Sequence, residues 1–238
     1  MKKSLKTKVK KIKYQTASKL SENVRQIKKS VKASSYKYAA ADLDPLNYEQ
    51  LPWPFPWEKY MDFDHLYVEI GSGHGEQLQK LATENPGNLY VGFEIFKKFA
   101  LMSHKKVSGL KNALVFKADA YEAAIKLFTD HSLAGVYILF PDPWHKKRHH
   151  KRRPLVASWF EQISTKLADG GFIIFATDWE EYFDFVLDQA NKVSEIFEVT
   201  SGVYRPEEWG FAQTHYYKKW VKQDRRFRYI LLKAKSTS

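Results

Sequence analysis

The 238-residue chain contains no cysteine, which excludes a disulfide scaffold, a thiol nucleophile and thiolate metal sites at once. It also lacks any run near the roughly 18–20 apolar residues that a membrane-spanning helix needs, so no membrane partner is expected. The first residues, Met1-Lys2-Lys3-Ser4-Leu5-Lys6, carry no apolar stretch behind the lysines, and no secretory signal is expected. A cytoplasmic protein suits these absences. Acid is scarce where base is dense. Residues 1–32 hold twelve Lys and Arg and one acid, Glu22, a net of 12 − 1 = +11 out of +12 for the whole chain. The remaining residues carry 27 − 26 = +1. Core material is plentiful: at 44% hydrophobic and 16% aromatic, the chain is not a disordered polymer. Its length suits one large domain, or one domain with an appendage.

Residues 1–40 scatter Leu, Val and Ile among lysines, Ser and Thr, and read as a basic, flexible arm. Such an arm suits a polyanion, either nucleic acid or an anionic membrane surface, or it serves as a solubilising tail. Residues 41–60 read as a linker strap. Its centre, Leu51-Pro52-Trp53-Pro54-Phe55-Pro56-Trp57, alternates proline with bulky side chains, which forbids helix and favours an extended run. Residues 61–238 form the main domain. There, apolar strands alternate with helices: strands at 66–70, 89–93, 113–116, 133–140 and 172–176, with helices through Leu78 and Leu81, near 96–108 and over 154–167. Strands apolar along their whole length indicate a parallel sheet covered on both faces. The alternating stretch Arg225–Lys235 is expected to add a last, antiparallel strand. The fold class is α/β, a mostly parallel, doubly wound sheet.

Gly71-Ser72-Gly73-His74-Gly75 sits between the first strand and its helix. Glycines allow a tight turn and close approach of backbone to a ligand. The spacing G-x-G-x-G differs from the G-x-G-x-x-G of dinucleotide binders. Glu69 precedes the turn, Glu94 ends the second strand and Asp119 follows the third. These positions suit an ammonium, a ribose diol and an adenine edge respectively. Gly71, Gly73, Gly75, Glu69, Glu94 and Asp119 together fit a cationic, adenosine-bearing cofactor, S-adenosylmethionine, and the arrangement resembles the Rossmann-like methyltransferases.

The most informative stretch follows strand four. Pro141-Asp142-Pro143-Trp144-His145-Lys146-Lys147-Arg148-His149-His150-Lys151-Arg152-Arg153 places a carboxylate stiffened by two prolines, then an aromatic, then a polycation. In an open parallel sheet this loop borders the ligand crevice. Lys and Arg grip phosphates there, and the aromatic offers a face to a base. His145, His149 and His150 lack a thiolate or a placed acid, and no metal site is expected.

The motif Pro141-Asp142-Pro143-Trp144-x-Lys146-x-Arg148-His149-x-Lys151-Arg152-Arg153 resembles the bacterial tRNA (guanine-N7)-methyltransferases, as do Glu69-Ile70-Gly71 and Val91-Gly92-x-Glu94. The likeness runs from about Leu66 to Asp178 and more weakly to the C-terminus. It implies a class I methyltransferase fold, S-adenosylmethionine as cofactor, and tRNA as partner, methylated at N7 of variable-loop guanosine 46. It implies cofactor contacts from Glu69, Glu94, Asp119 and Asp142, with Asp142 also catalytic. Lys146, Arg148 and Asp178 would contact substrate, as would Thr214-His215-Tyr216-Tyr217. There the family has Thr-Lys/Arg-Phe/Tyr-Glu, so Tyr217 stands in place of a glutamate. Other readings stay open: methylation of another RNA base or atom, since Pro-Asp-Pro-Trp resembles the loop of exocyclic-amine methyltransferases, or a catalytically weak tRNA-binding homologue. Monomer and homodimer are equally compatible with the sequence.

Overall fold

Seven strands pair into one sheet in the order β3-β2-β1-β4-β5-β7-β6 in the computed structural model of the chain, which describes residue 60 and residues 62–235. The expected basic arm and nearly all of the strap lie outside the described residues. β1 (His65–Ile70), β2 (Asn88–Glu94), β3 (Ala113–Lys117), β4 (Leu133–Leu139) and β5 (Leu167–Thr177) run parallel. β7 (Arg228–Ala234) pairs antiparallel with β5, as its alternation suggests, and β6 (Phe197–Val203) pairs antiparallel with β7. Strand order runs outward from β1 in one direction and from β4 in the other. A crevice therefore opens at the carboxyl ends of these two strands, where ligands bind in such sheets.

Helices α1 (Glu76–Glu84), α2 (Lys97–Val107), α3 (Ala120–Lys126), α4 (Ala157–Ser164), α5 (Glu180–Asn191) and α6 (His215–Val221) cover the two faces, with 3-10 turns at Lys147–Arg152 and Pro206–Trp209. The inward stripes recur at three- and four-residue spacing: Leu78, Leu81 and Ala82 on α1, and Tyr182, Phe183, Val186 and Ala190 on α5. Successive strand residues feed opposite faces. Val68, Val91, Phe93, Ile138 and Phe175 pack with Ala123, Phe160 and Val186 from α3, α4 and α5. Tyr90, Val115, Tyr137, Leu139 and Ile174 pack with Leu78 and Val107 and with Tyr217 of α6. Covering both faces is why the central strands are apolar throughout.

The structure differs from the pattern-based expectation in β6, in the bounds of β5 and α4, and in adding helices α3, α5 and α6. β6 is not evident in the sequence, because an edge strand needs little apolar surface and only Phe197 of its seven residues is buried. β5 begins five residues before Phe172: Asp169, Gly170 and Gly171 look like a turn, yet they extend the strand across a register shift against β4. α4 is shorter than 154–167, since Val156 is extended and Leu167 already belongs to β5. Among the described residues no helix is long and apolar enough to cross a membrane.

Candidate active site

β1 runs directly into the glycine turn. Gly71 and Gly73 hold φ of 77° and 51°, and a Cβ on Gly71 would meet nothing within 4 Å while one on Gly73 would meet only the Gly71 carbonyl at 3.9 Å. They present bare backbone to open space. Gly75 (φ 73°) differs, because its Cβ would lie 2.8 Å from Cα of Ser103 on α2. Its smallness lets α1 and α2 pack.

Three carboxylates surround this turn. Glu69 is buried, and its Oε2 has no hydrogen-bond partner. Desolvation pushes its pKa up to about 8, a backbone hydrogen bond at Leu78 opposes the rise, and the nearby charges of Glu94 and Glu76 add to it. Glu94 braces the turn: Gly73 N–H donates to Oε2 at 3.0 Å and Phe96 N–H to Oε1 at 2.9 Å. Asp119 caps α3, its Oδ1 accepting from the N–H groups of Tyr121 (3.1 Å) and Glu122 (3.4 Å). Ile95 and Phe96, 57% and 67% exposed beside Glu94, leave apolar surface facing the cavity.

The strand-four loop is held by its surroundings. Asp142 Oδ1 accepts from Trp144 N–H at 3.0 Å. Phe140 and Trp144 on either side adopt left-handed φ of 57° and 50°, a strained state costing about 1–3 kcal/mol each. Phe140 N–H bonds the Ala176 carbonyl at 2.8 Å, and its ring stacks on Tyr216 with centroids 5.2 Å apart. Arg153 secures the other end. Its fully buried guanidinium donates to the Pro143 carbonyl at 3.0 and 2.8 Å, to Glu181 of α5 at 2.8 Å, and lies over the Tyr182 ring. The same hydrogen bond holds the Glu181 carboxyl below the ordinary range. Arg153 therefore braces the loop, whereas Lys147, Arg148, Lys151 and Arg152 are exposed.

A cavity of about 1000 Å³ joins these parts. It gathers Glu69, Gly71, Gly73, Glu94, Asp119, Asp142, Thr214, His215 and Tyr216. Five residues expected at the site are not in its wall. Gly75 lies behind the turn, between the helices. Lys146 and Arg148 are exposed on the loop outside, Arg148 donating to His149 at 3.3 Å. Asp178 stands behind Tyr216, accepting from its hydroxyl at 3.0 Å and pairing with Arg225; burial first, then the Asp178 charge, pushes the Tyr216 pKa up to about 12. Tyr217 points into the core, its ring 4.7 Å from Phe227 and 6.1 Å from Tyr204.

The start of α6 is tied to that of α1. Thr214 caps α6 through Tyr217 N–H (3.3 Å), His215 N–H donates to Glu76, and Ala212 N–H donates to Gln77 Oε1 at 2.6 Å. Wall residues that sequence reasoning missed include His74, Glu76, Phe99, Lys219 and Trp220. The only signal for the last two is the interleaving of Lys with an aromatic in Lys218-Lys219-Trp220. The loop histidines diverge, His145 toward Trp179, His149 against Trp144 and His150 beside Glu181. Among the described residues no group of three His, Cys, Asp or Glu is placed to hold a metal ion.

Residues 64–229 match the family model Methyltransf_4, described as "Putative methyltransferase". A tRNA (guanine-N(7)-)-methyltransferase of Actinobacillus succinogenes is 37% identical over 150 residues, 62% of this chain and 59% of that protein. One of Legionella pneumophila (strain Lens) is 38% identical over 160 residues, 64% of this chain and 71% of that protein. The match thus spans less than two thirds of the first of these relatives. The 16S rRNA methyltransferase KamB shares the fold with a TM-score of 0.57 at 16% identity, covering 76% of this chain and 93% of that one. An antibiotic-related methyltransferase gives 0.51 at 18%, covering 75% and 92%.

Proposed function

Because the chain belongs to the Methyltransf_4 family of methyltransferases, we propose that it methylates N7 of a variable-loop guanosine in tRNA with S-adenosylmethionine as methyl donor. That its relatives are tRNA (guanine-N(7)-)-methyltransferases supports guanine N7 in tRNA as the acceptor, and the resemblance of the strand-four motif supports the variable-loop position. The observation that carries it to this site is the meeting of Asp142 with a buried Glu69, whose Oε2 has no hydrogen-bond partner, in one cavity bordered by exposed cations.

The residues present fit that cofactor. Glu69 Oε2 lacks a partner and suits an ammonium. Glu94 has both oxygens engaged by backbone N–H groups, so its orientation is fixed, and its remaining lone pairs suit a ribose diol. Asp119 uses Oδ1 for capping, which leaves Oδ2 for an adenine amine. Gly71 and Gly73 would bring backbone close to the ligand, and Ile95 and Phe96 would cover its base. When bound, the cofactor supplies a sulfonium methyl group. Guanine N7 holds a free lone pair at neutral pH, so no side chain has to remove a proton from it. The chain's task is to orient the base and exclude water. Asp142, fixed through Oδ1 by Trp144 N–H, leaves Oδ2 to orient the guanine and stabilise the positive charge that develops on it. Tyr216, backed by Phe140 and fixed by Asp178, offers an aromatic surface for the base.

The test is methyl transfer to unmodified tRNA transcripts with and without a guanine at the variable-loop position, with nucleoside mass spectrometry to locate the methyl. N7-methylguanosine is expected only in the first. Asp142→Ala should lower kcat at least ~100-fold, the scale of losing one electrostatic contact made in the transition state. Methyl on an exocyclic amine, or a wild-type rate from Asp142→Ala, overturns the reading.

A further inference from the structure

Residues 215–228 are strongly basic: Lys218, Lys219, Lys222, Arg225, Arg226 and Arg228 against one acid, Asp224. Some of these charges are committed. Arg225 pairs with Asp178, Arg228 with Glu180 and Asp184, and Lys219 lies 4.6 Å from the Trp220 ring. Lys218, Lys222 and Arg226 are exposed and join none of the ion pairs among the described residues. Lys218 lies in the last turn of α6 and Lys222 caps its C-terminus, where cations interact favourably with the helix dipole. The helix end accounts for Lys218 and Lys222 but not for the continuation of the basic pattern through Arg226.

Its place is informative. Lys219 and Trp220 of α6 line the same cavity as Trp144 and Arg152 of the strand-four segment. The two elements sit on opposite faces of the sheet. Tyr217 of α6 packs with Tyr137 and Ile174, while Leu155 and Trp159, following Arg152, pack with Ile138 and Phe175. Arg152 stacks over Trp144 at 4.9 Å, and Arg225 over Trp220 at 3.8 Å. The mouth thus has a cation–tryptophan pair on either side, each leading outward to exposed cations.

We propose that α6 and the turn after it form a second phosphate-gripping rim, so that an RNA strand crosses the cavity mouth from Lys147–Arg152 to Lys218, Lys222 and Arg226. This rests on the RNA reading given above and extends it to the nucleotides flanking the target. A base must leave its stack to enter a cavity, at a cost of a few kcal/mol. Phosphates gripped on both sides of that base offset the cost and hold its sugar over the opening. One rim alone would leave the strand free to swing away.

The experiment measures tRNA affinity of the full chain by fluorescence anisotropy across a salt series. Three variants are compared: Lys218→Gln with Lys222→Gln and Arg226→Gln, Lys147→Gln with Lys151→Gln, and all five together. Each lost phosphate contact lowers the log–log salt slope by roughly 0.7–0.9, so the α6 variant should lose about 2–3. The combined losses should add. S-adenosylmethionine affinity and Tm should stay at the wild-type values, which separates a lost grip from a damaged fold. The second measurement uses RNA shortened on the 5′ or the 3′ side of the target guanosine. One shortened form should make the α6 variant bind like the wild type, and the other should not. An unchanged slope in the α6 variant, or equal losses with both shortened RNAs, overturns the second rim. Wild-type chain that binds RNA with these slopes but transfers no methyl overturns the proposed reaction and leaves the rim standing. Methyl transfer with an unaltered α6 slope does the reverse, and wild-type chain that does not bind RNA overturns both.

Discussion

Arg152 and Arg153 are neighbours in one basic run, and composition cannot distinguish them. Arg152 is exposed at the cavity rim, while Arg153 is buried and spends its donors on Pro143 and Glu181. Arg153→Ala should cost roughly 3 kcal/mol, since charge-assisted hydrogen bonds contribute about 1.5–3 kcal/mol each and truncation leaves a gap beside Tyr182. Arg152→Ala should stay within about 0.5 kcal/mol of wild type and weaken tRNA binding instead. Denaturant midpoints and RNA titrations check both. Glu69 shows what position in the sequence could and could not give. Its place before the glycine turn marks it as a candidate cofactor residue; its unpartnered oxygen and raised pKa needed the fold. An acid whose pKa rises from 4.5 to about 8 on folding binds more protons folded than unfolded between those values. Its contribution is fully present below pH 4.5 and is lost as pH rises toward 8. Glu69→Gln should flatten that decline in apo Tm between pH 5 and 8. In the wild type, cofactor binding near pH 7 should release a proton, measurable by calorimetry in buffers of different ionisation enthalpy. Glu69→Gln should abolish that release and weaken cofactor binding about ten- to a hundred-fold. Proton release unaltered in the variant would assign it elsewhere. Tyr217 is the converse case. A family comparison marked it as a substrate position, but a phenol among Phe140, Tyr204 and Phe227 belongs to the core. Tyr217→Glu should therefore lower Tm, because it removes the ring packed against Phe227 and Tyr204 and puts a carboxylate among aromatics.

Strands were legible in proportion to how much they bury, whereas helices α3 and α5 were missed although each buries a stripe against the sheet. The parallel strands, apolar on both faces, and the strand–turn–helix at Gly71–Gly75 stood out. β6 did not, because edge position asks little of its side chains, and the seven-residue α6 was masked by its own charge. The motif G-x-G-x-G also assigned three glycines one role, and packing divides them. Gly73 needs its left-handed φ but has room for a Cβ, so Gly73→Ala should cost about 1–2 kcal/mol. Gly75→Ala meets the same backbone penalty and drives a methyl into Cα of Ser103, which adds the roughly 1–3 kcal/mol of an overpacked contact. Denaturant unfolding with an unchanged m-value would give the order Gly75→Ala below Gly73→Ala below wild type. Equal midpoints would mean that α1 can slide on α2 without loss. Cofactor affinity should be reduced by Gly73→Ala directly, since that backbone faces the cavity.

For the whole molecule, the distribution of charge matters more than its sum. Residues 1–32 hold +11 of the +12, yet the acids and aromatics of the candidate site come from residues 69–220. The proposed rims keep exposed cations although acids lie among them, Glu181 pairing with Arg153, and Asp178, Glu180 and Asp184 with Arg225 and Arg228, an arrangement that no composition figure carries. If the N-terminal charges supply grip and the cavity supplies chemistry, the two should separate in steady-state kinetics. Replacing the lysines of residues 1–32 by glutamine should raise KM for tRNA and reduce the salt slope, by roughly 0.7–0.9 for each phosphate released. At saturating tRNA and cofactor, kcat should remain within about twofold of wild type, because the contacts proposed for Asp142 in the transition state are left intact. Added salt should shrink the difference between variant and wild type, since exposed charges are screened beyond about 8 Å at physiological ionic strength. A fall in kcat at saturation would instead mean that the N-terminal segment takes part in positioning the guanine, and the division between grip and chemistry would have to be redrawn.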